Sequence, residues 1–207
     1  MVFRFRAAAF CAASLALLAG CEHNALEVRR SVCPAVAVPN YTGDTTLFRG
    51  SDTTASDIDV VAVITNVRGV CADQGPRLGT NVSFDVIARR TATAGARSVT
   101  LPFFASVVQG GNLLVSKQVG SVTLSFADGQ ARATASGHAH AEVDRAATQL
   151  GPAMAKKVNR PRKPGDLDAA TDPLADPEVK AAIRAATFEV LVGFQLSDEA
   201  LAYNASK

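Results

Sequence analysis

The sequence predicts an all-β domain, and three observations carry that prediction. Beyond Val32, apolar and polar residues alternate at period two through most of the chain, the pattern of half-buried strands. Turn signals such as Gly110-Gly111-Asn112 and Asp128-Gly129 separate the alternating runs. Helix-start signals stand only near the C-terminus, at Asp176-Pro177 and at Ser197.

Each run supplies one expected element. Residues 35–38 make a short first strand, and residues 57–70 a long second one that sets Val61, Val63, Thr65, Val67 and Cys71 on one face. Residues 81–89 set Val82, Phe84, Val86 and Ala88 against Asn81, Ser83, Asp85 and Arg89. Residues 98–108 turn Val99, Leu101, Phe103, Ala105 and Val107 inward. Residues 113–126 continue with Leu113, Val115 and Val119, then Val122, Leu124 and Phe126, with a bend or bulge expected at Gly120.

Residues 131–144 alternate almost without fault. Arg132, Thr134, Ser136, His138, His140, Glu142 and Asp144 share one side; alanines, Gly137 and Val143 fill the other. A helix would scatter those polar residues around its circumference, and Gly137 would weaken it. A last strand over 187–196 buries Phe188, Val190, Val192, Phe194 and Leu196. Seven strands with turns between them point to an immunoglobulin-like or related antiparallel β-sandwich, one domain over residues 33–207.

Residues 146–176 break the period. Lys156, Lys157, Arg160, Arg162 and Lys163 are punctuated by Pro161 and Pro164, then followed by Asp166, Asp168, Asp172, Asp176 and Glu178. Such a basic-then-acidic, proline-rich stretch reads as an exposed charged loop whose removal costs little. A helix follows over 177–187, where Asp176 caps, Pro177 fits the first turn and Val179, Ile183 and Ala186 share a side. A second short helix is expected over 197–203, capped by Ser197.

The N-terminus carries a different signal. Arg4 and Arg6 precede an apolar run over 7–18, which ends in Leu18-Ala19-Gly20-Cys21. A positive region, a short apolar region and small residues before a cut mark a secretory signal. The apolar run is about a dozen residues, short of the roughly 20 needed to span hydrocarbon. Leu18-Ala19-Gly20-Cys21 resembles the lipobox of bacterial lipoproteins. That resemblance implies that residues 1–20 are removed and that Cys21 is acylated and holds the chain on a membrane, facing the periplasm. Glu22 is not the Asp of the familiar retention signal, so the outer membrane is the expected destination. Residues 21–32 are polar and charged and read as a tether reaching at most about 40 Å.

Removing Arg4 and Arg6 from the 21 Lys plus Arg leaves 19, against 19 Asp plus Glu, so the mature chain is formally neutral. It lacks the surplus cation that nucleic-acid binding needs. Of the four cysteines, Cys11 lies in the discarded segment and Cys21 takes the lipid. Cys33 and Cys71 remain, and two thiols in an exported domain predict one disulfide.

The ending Val190-Leu191-Val192-Gly193-Phe194-Gln195-Leu196-Ser197 with Ala202-Tyr203-Asn204, together with Cys33-Pro34 and Cys71, resembles a family of small envelope lipoproteins of alphaproteobacteria. The resemblance implies the same one-domain anchored protein and brings no activity with it.

Catalytic motifs are lacking: there is no GxSxG, no Cys-His pair and no phosphate-cradling glycine loop, so an enzyme is not expected and no cofactor is implied. His138, His140, Glu142 and Asp144 fall at i, i+2, i+4 and i+6 and could face zinc or copper together. One strand face seldom converges on an ion without a ligand from a neighbour, so the row reads as a solvated face. Asp52, Asp57 and Asp59 lack the spacing of a calcium loop and read as surface.

Two functions remain. The first is a membrane-anchored, non-enzymatic interaction or scaffold module that meets an envelope protein through a sheet edge or the segment from Lys156 to Glu178. The second is a carrier that shelters an apolar or metal ligand. Phe84, Phe103, Phe104, Phe126, Phe188 and Phe194 discriminate between them: lining a pocket they favour the carrier, and closing a solid core they favour the interaction module.

Overall fold

The computed structural model describes residues 30–50, 52–163 and 165–207, so the signal segment, Cys21 and most of the tether lie outside the described residues. Alternation becomes eight strands: β1 Ala35–Ala37, β2 Asp44–Phe48, β3 Ile58–Gln74, β4 Arg77–Arg90, β5 Arg97–Gln109, β6 Leu113–Phe126, β7 Arg132–Asp144 and β8 Phe188–Phe194. Among the described residues three helices follow the strand-rich part or interrupt it: α1 Pro152–Val158, α2 Pro177–Ala185 and α3 Asp198–Ser206. The strands form two four-stranded sheets, ordered β1-β8-β5-β6 and β2-β3-β4-β7. All pairings are antiparallel except that of β1 with β8.

The core lies between the sheets. Val82, Phe84, Val86 and Ala88 of β4 meet Val99, Leu101, Phe103, Ala105 and Val107 of β5, with Val190, Val192 and Phe194 of β8, all at most 6% exposed. Two glycines seat two rings at its centre. Gly137 of β7 stands opposite Phe84 and Gly120 of β6 opposite Phe103. A Cβ on either glycine would come within 2.3 Å of the Phe84 ring or 2.6 Å of the Phe103 ring. The two rings meet edge to face at 5.0 Å, a favoured aromatic geometry.

Several expectations change. β2 is an added strand, short and threonine-rich, at the edge of its sheet. In β3 the buried apolar residues are Val60, Ala62 and Ile64, while Val61 and Val63 face solvent. The register slips by one residue between Thr65 and Arg68, where Asn66 adopts φ 51°, and the extra residue turns Val67 and Cys71 back toward the core. Period-two reading fails across such a bulge because every later side chain changes face. Gly120 makes no bulge; the irregularity in β6 is at Val115, opposite Val107 and Val108. The charged segment expected as a loop contains α1 and 3-10 turns at Ala146–Thr148 and Pro173–Ala175.

Both expected helix starts form. The Asp176 carboxylate accepts from the amides of Glu178 at 2.8 Å and Val179 at 3.4 Å, and the Ser197 hydroxyl accepts from that of Ala200 at 3.2 Å. α3 returns to β2, where Asn204 donates to the carbonyls of Tyr41 and Asp44 at 2.8 Å each and Tyr203 meets Phe48 edge to face.

Arg90 is the largest buried side chain, 2% exposed. It has no carboxylate partner among the described residues. Its guanidinium donates to the carbonyls of Gln130 at 2.8 Å, Gly95 at 2.8 Å, Thr93 at 2.7 Å and Ala127 at 2.9 Å, and lies over the Phe126 ring. One side chain thereby ties the β4–β5 turn to the β6–β7 turn. Position 90 shares the inward parity of Val82, Phe84, Val86 and Ala88, so its burial was readable from the alternation itself.

Candidate functional site

Cys33 and Cys71 are bonded, with Sγ atoms 2.08 Å apart and a separation of 38 in sequence. The bridge joins the lead into β1 to the far end of β3 and so ties one sheet to the other. Cys21 lies outside the described residues.

The β7 row is exposed, and His140, Glu142 and Asp144 are held by neighbours. Nδ1 of His140 is 2.8 Å from Oδ1 of Asn81 on β4, and its Nε2 is 3.5 Å from Glu142. Glu142 pairs with Arg77 at 3.3 Å, and Asp144 accepts from the amide of Ala146 at 2.9 Å. His138 stands opposite Ser83 rather than beside a second strand's ligand. No three His, Cys, Asp or Glu side chains converge in metal-binding geometry among the described residues.

The phenylalanines fill the core. Phe84, Phe103, Phe126, Phe188 and Phe194 are at most 6% exposed, whereas Phe104 faces outward and carries Lys117 Nζ 5.1 Å above its ring. Asp59, expected at the surface, is 8% exposed and receives two hydrogen bonds from Arg97, at 2.8 and 2.6 Å. Those bonds hold its carboxyl below the usual carboxylate range against the opposing effect of burial.

The least satisfied apolar surface is on β6. This strand is the edge of its sheet, and Leu113, Leu114, Val115 and Val119 are 58%, 56%, 51% and 61% exposed. At Gln118 the side-chain amide crosses to the carbonyl of His140, bridging β6 to the edge strand of the opposite sheet. Toward Leu113 a cleft of about 530 Å³ opens, with Val115, Val143 and Phe188 among its walls. On the other side of the β5–β6 turn, a second cavity of about 610 Å³ lies against α2. Leu113, Pro177 and Ala181 give it an apolar lining, and Lys180 and Arg184 are its only charged residues. The consecutive apolar triplet Leu113-Leu114-Val115 was the sequence signal for this exposure: three in a row cannot all face one core from one strand.

The charged segment is knitted to itself. Lys157 of α1 reaches Asp176 at 2.6 Å and Glu178 at 3.1 Å, and these bonds hold its ammonium above the usual lysine range. Arg160 pairs with Asp168 and lies 3.7 Å from Asp166. Arg162, its side chain 6% exposed, places Nε 3.5 Å from Asp168; this is an ion-pair contact that completes no hydrogen bond. Lys157, Arg160 and Arg162 face Asp168, Asp172 and Asp176 across a cavity of about 590 Å³, so its lining is charge-balanced.

Comparison with known protein families, curated proteins and solved structures finds no match to this chain.

Proposed function

We propose that this chain is a lipid-anchored envelope lipoprotein, held through Cys21 and facing the periplasm. Its sandwich acts as a non-enzymatic interaction module that receives an extended segment of another envelope protein along β6. One observation carries the reading: four large apolar side chains, Leu113, Leu114, Val115 and Val119, are exposed on one half of an edge strand. Unpaired strand edges accept added strands through main-chain hydrogen bonds, while flanking cavities take alternate side chains. Lys180 and Arg184, without an acid beside them in the cavity, favour a partner segment that is apolar and acidic. The solid phenylalanine core favours this reading over the apolar carrier.

The test places a photocrosslinking residue at Leu114 in the native envelope. A discrete adduct should form there, be absent when the crosslinker stands at Thr100 on the sheet's outer face, and vanish in a Val119→Lys variant. An adduct pattern unchanged by Val119→Lys would overturn docking at this edge. The anchor is tested separately: Cys21→Ala should abolish uptake of labelled palmitate and leave an uncleaved precursor.

A further inference from the structure

The outer face of the β2-β3-β4-β7 sheet has two halves. From Asp85 onward, toward Arg77, its polar groups answer one another. Asp85 accepts from Asn66 at 2.8 Å and from Ser136 at 2.9 Å, bonds that hold its carboxyl below the usual range, and the His140, Glu142 and Arg77 contacts continue the net.

The other half is unanswered. Register sets Val61 of β3, Arg89 of β4 and Arg132 of β7 in one row, and Val63, Ile87 and Thr134 in the next. Arg89 and Arg132 are therefore direct cross-strand neighbours, an arrangement of like charges that destabilises a sheet. Both are exposed, and neither side chain has a hydrogen bond or an ion pair among the described residues. Beside them Val61, Val63 and Ile87 are 39%, 42% and 43% exposed and floor a shallow groove of about 500 Å³ that no acid lines. The nearest acid in these rows, Asp44, is taken by Lys207.

We infer that this half-face docks on the anionic headgroups of a phospholipid bilayer. Two adjacent guanidinium groups recover the cost of their juxtaposition only against an anion, and a guanidinium fork matches phosphate oxygens. The apolar residues beside them suit the boundary between headgroups and acyl chains. A bilayer is favoured over an acidic protein because the groove is shallow and because Arg30 follows Cys21 by nine residues, a reach of about 30 Å at most. That preference rests on the lipoprotein reading.

The chain contains no tryptophan, so a single introduced indole reports alone. Full-length Ile87→Trp and Thr100→Trp proteins are reconstituted into vesicles of brominated phosphatidylcholine, with and without brominated phosphatidylglycerol. Flotation with the neutral vesicles reports the anchor; tryptophan quenching in the anionic ones reports the face. Trp emission at position 87 should shift to the blue and be quenched only in the anionic vesicles, while position 100 stays unquenched. Arg89→Gln and Arg132→Gln should each weaken the contact about fivefold, and added salt should reverse it. Flotation without quenching at position 87, or equal quenching at 87 and 100, overturns the docking face. Loss of flotation with the neutral vesicles, with position 87 still quenched in the anionic ones, overturns the anchor and leaves the face standing.

Discussion

The sandwich and the charged segment between β7 and β8 occupy one chain but are held by different forces. In the sandwich, inward side chains at period two bury a continuous core, and its ends are closed by Arg90 and by the Cys33–Cys71 bridge. Among the described residues between β7 and β8, only Val158 of α1, Val179 of α2 and Ala186 are buried apolar residues, and none belongs to that core. Four ion pairs there, those of Lys157 and Arg160, have partners 36% to 73% exposed. Burial is cooperative and resists salt, whereas exposed pairs in water each contribute little. The difference teaches that an ordered segment need not share the stability of the domain it decorates.

The largest expected effect is at Arg90. Arg90→Met should leave four turn carbonyls without their donor and lower unfolding free energy by about 5 kcal/mol, measured by urea denaturation. A loss no greater than that of an ordinary surface change would show that the turns hold themselves.

Next is the bridge between sheets. The paired Cys33→Ser, Cys71→Ser variant should lose up to about 4 kcal/mol, the chain-entropy value for a loop of this length. Non-reducing peptide mapping of periplasm-derived protein should recover the linked pair; free thiols at both positions would contradict the bond.

A smaller effect belongs to Asp59. Because its folded carboxyl is held below its unfolded value, its pairing with Arg97 stabilises at neutral pH and loses that contribution as pH falls through the folded value. Asp59→Asn should cost about 1 kcal/mol near neutrality, discounted for the exposure of Arg97. The gap between variant and parent should stay constant above about pH 5 and narrow below the ordinary carboxylate value of about 3.9. A gap that widens with acid would reverse the sign of the linkage.

The smallest effect sharpens the contrast. Lys157→Met removes the ammonium from Asp176 and Glu178 and should leave the melting temperature of the sandwich unchanged, at low salt and at high salt. Hydrogen exchange in α1 should nevertheless quicken, because its tie to the α2 cap is gone. A lowered melting temperature would show that the segment shares the sandwich's cooperativity.

By itself the sequence determined the class of fold, the inward faces of β4, β5 and β8 and the starts of α2 and α3. Those features follow from local rules: side-chain parity along a strand, and an oxygen placed where helix amides lack partners. The cysteines at 33 and 71 were also paired by compartment and number alone. Tertiary structure decided the rest. The bulge at Asn66 split the expected face of β3: Val67 and Cys71 turn inward beyond it, while Val61 and Val63 before it lie outside, where they meet Ile87 beside the two arginines. Strand order made β6 an edge, which turned Leu113, Val115 and Val119 from expected core into exposed surface. Local alternation states which side chains lie together, but only the placement of neighbouring strands and sheets states whether water or protein covers them.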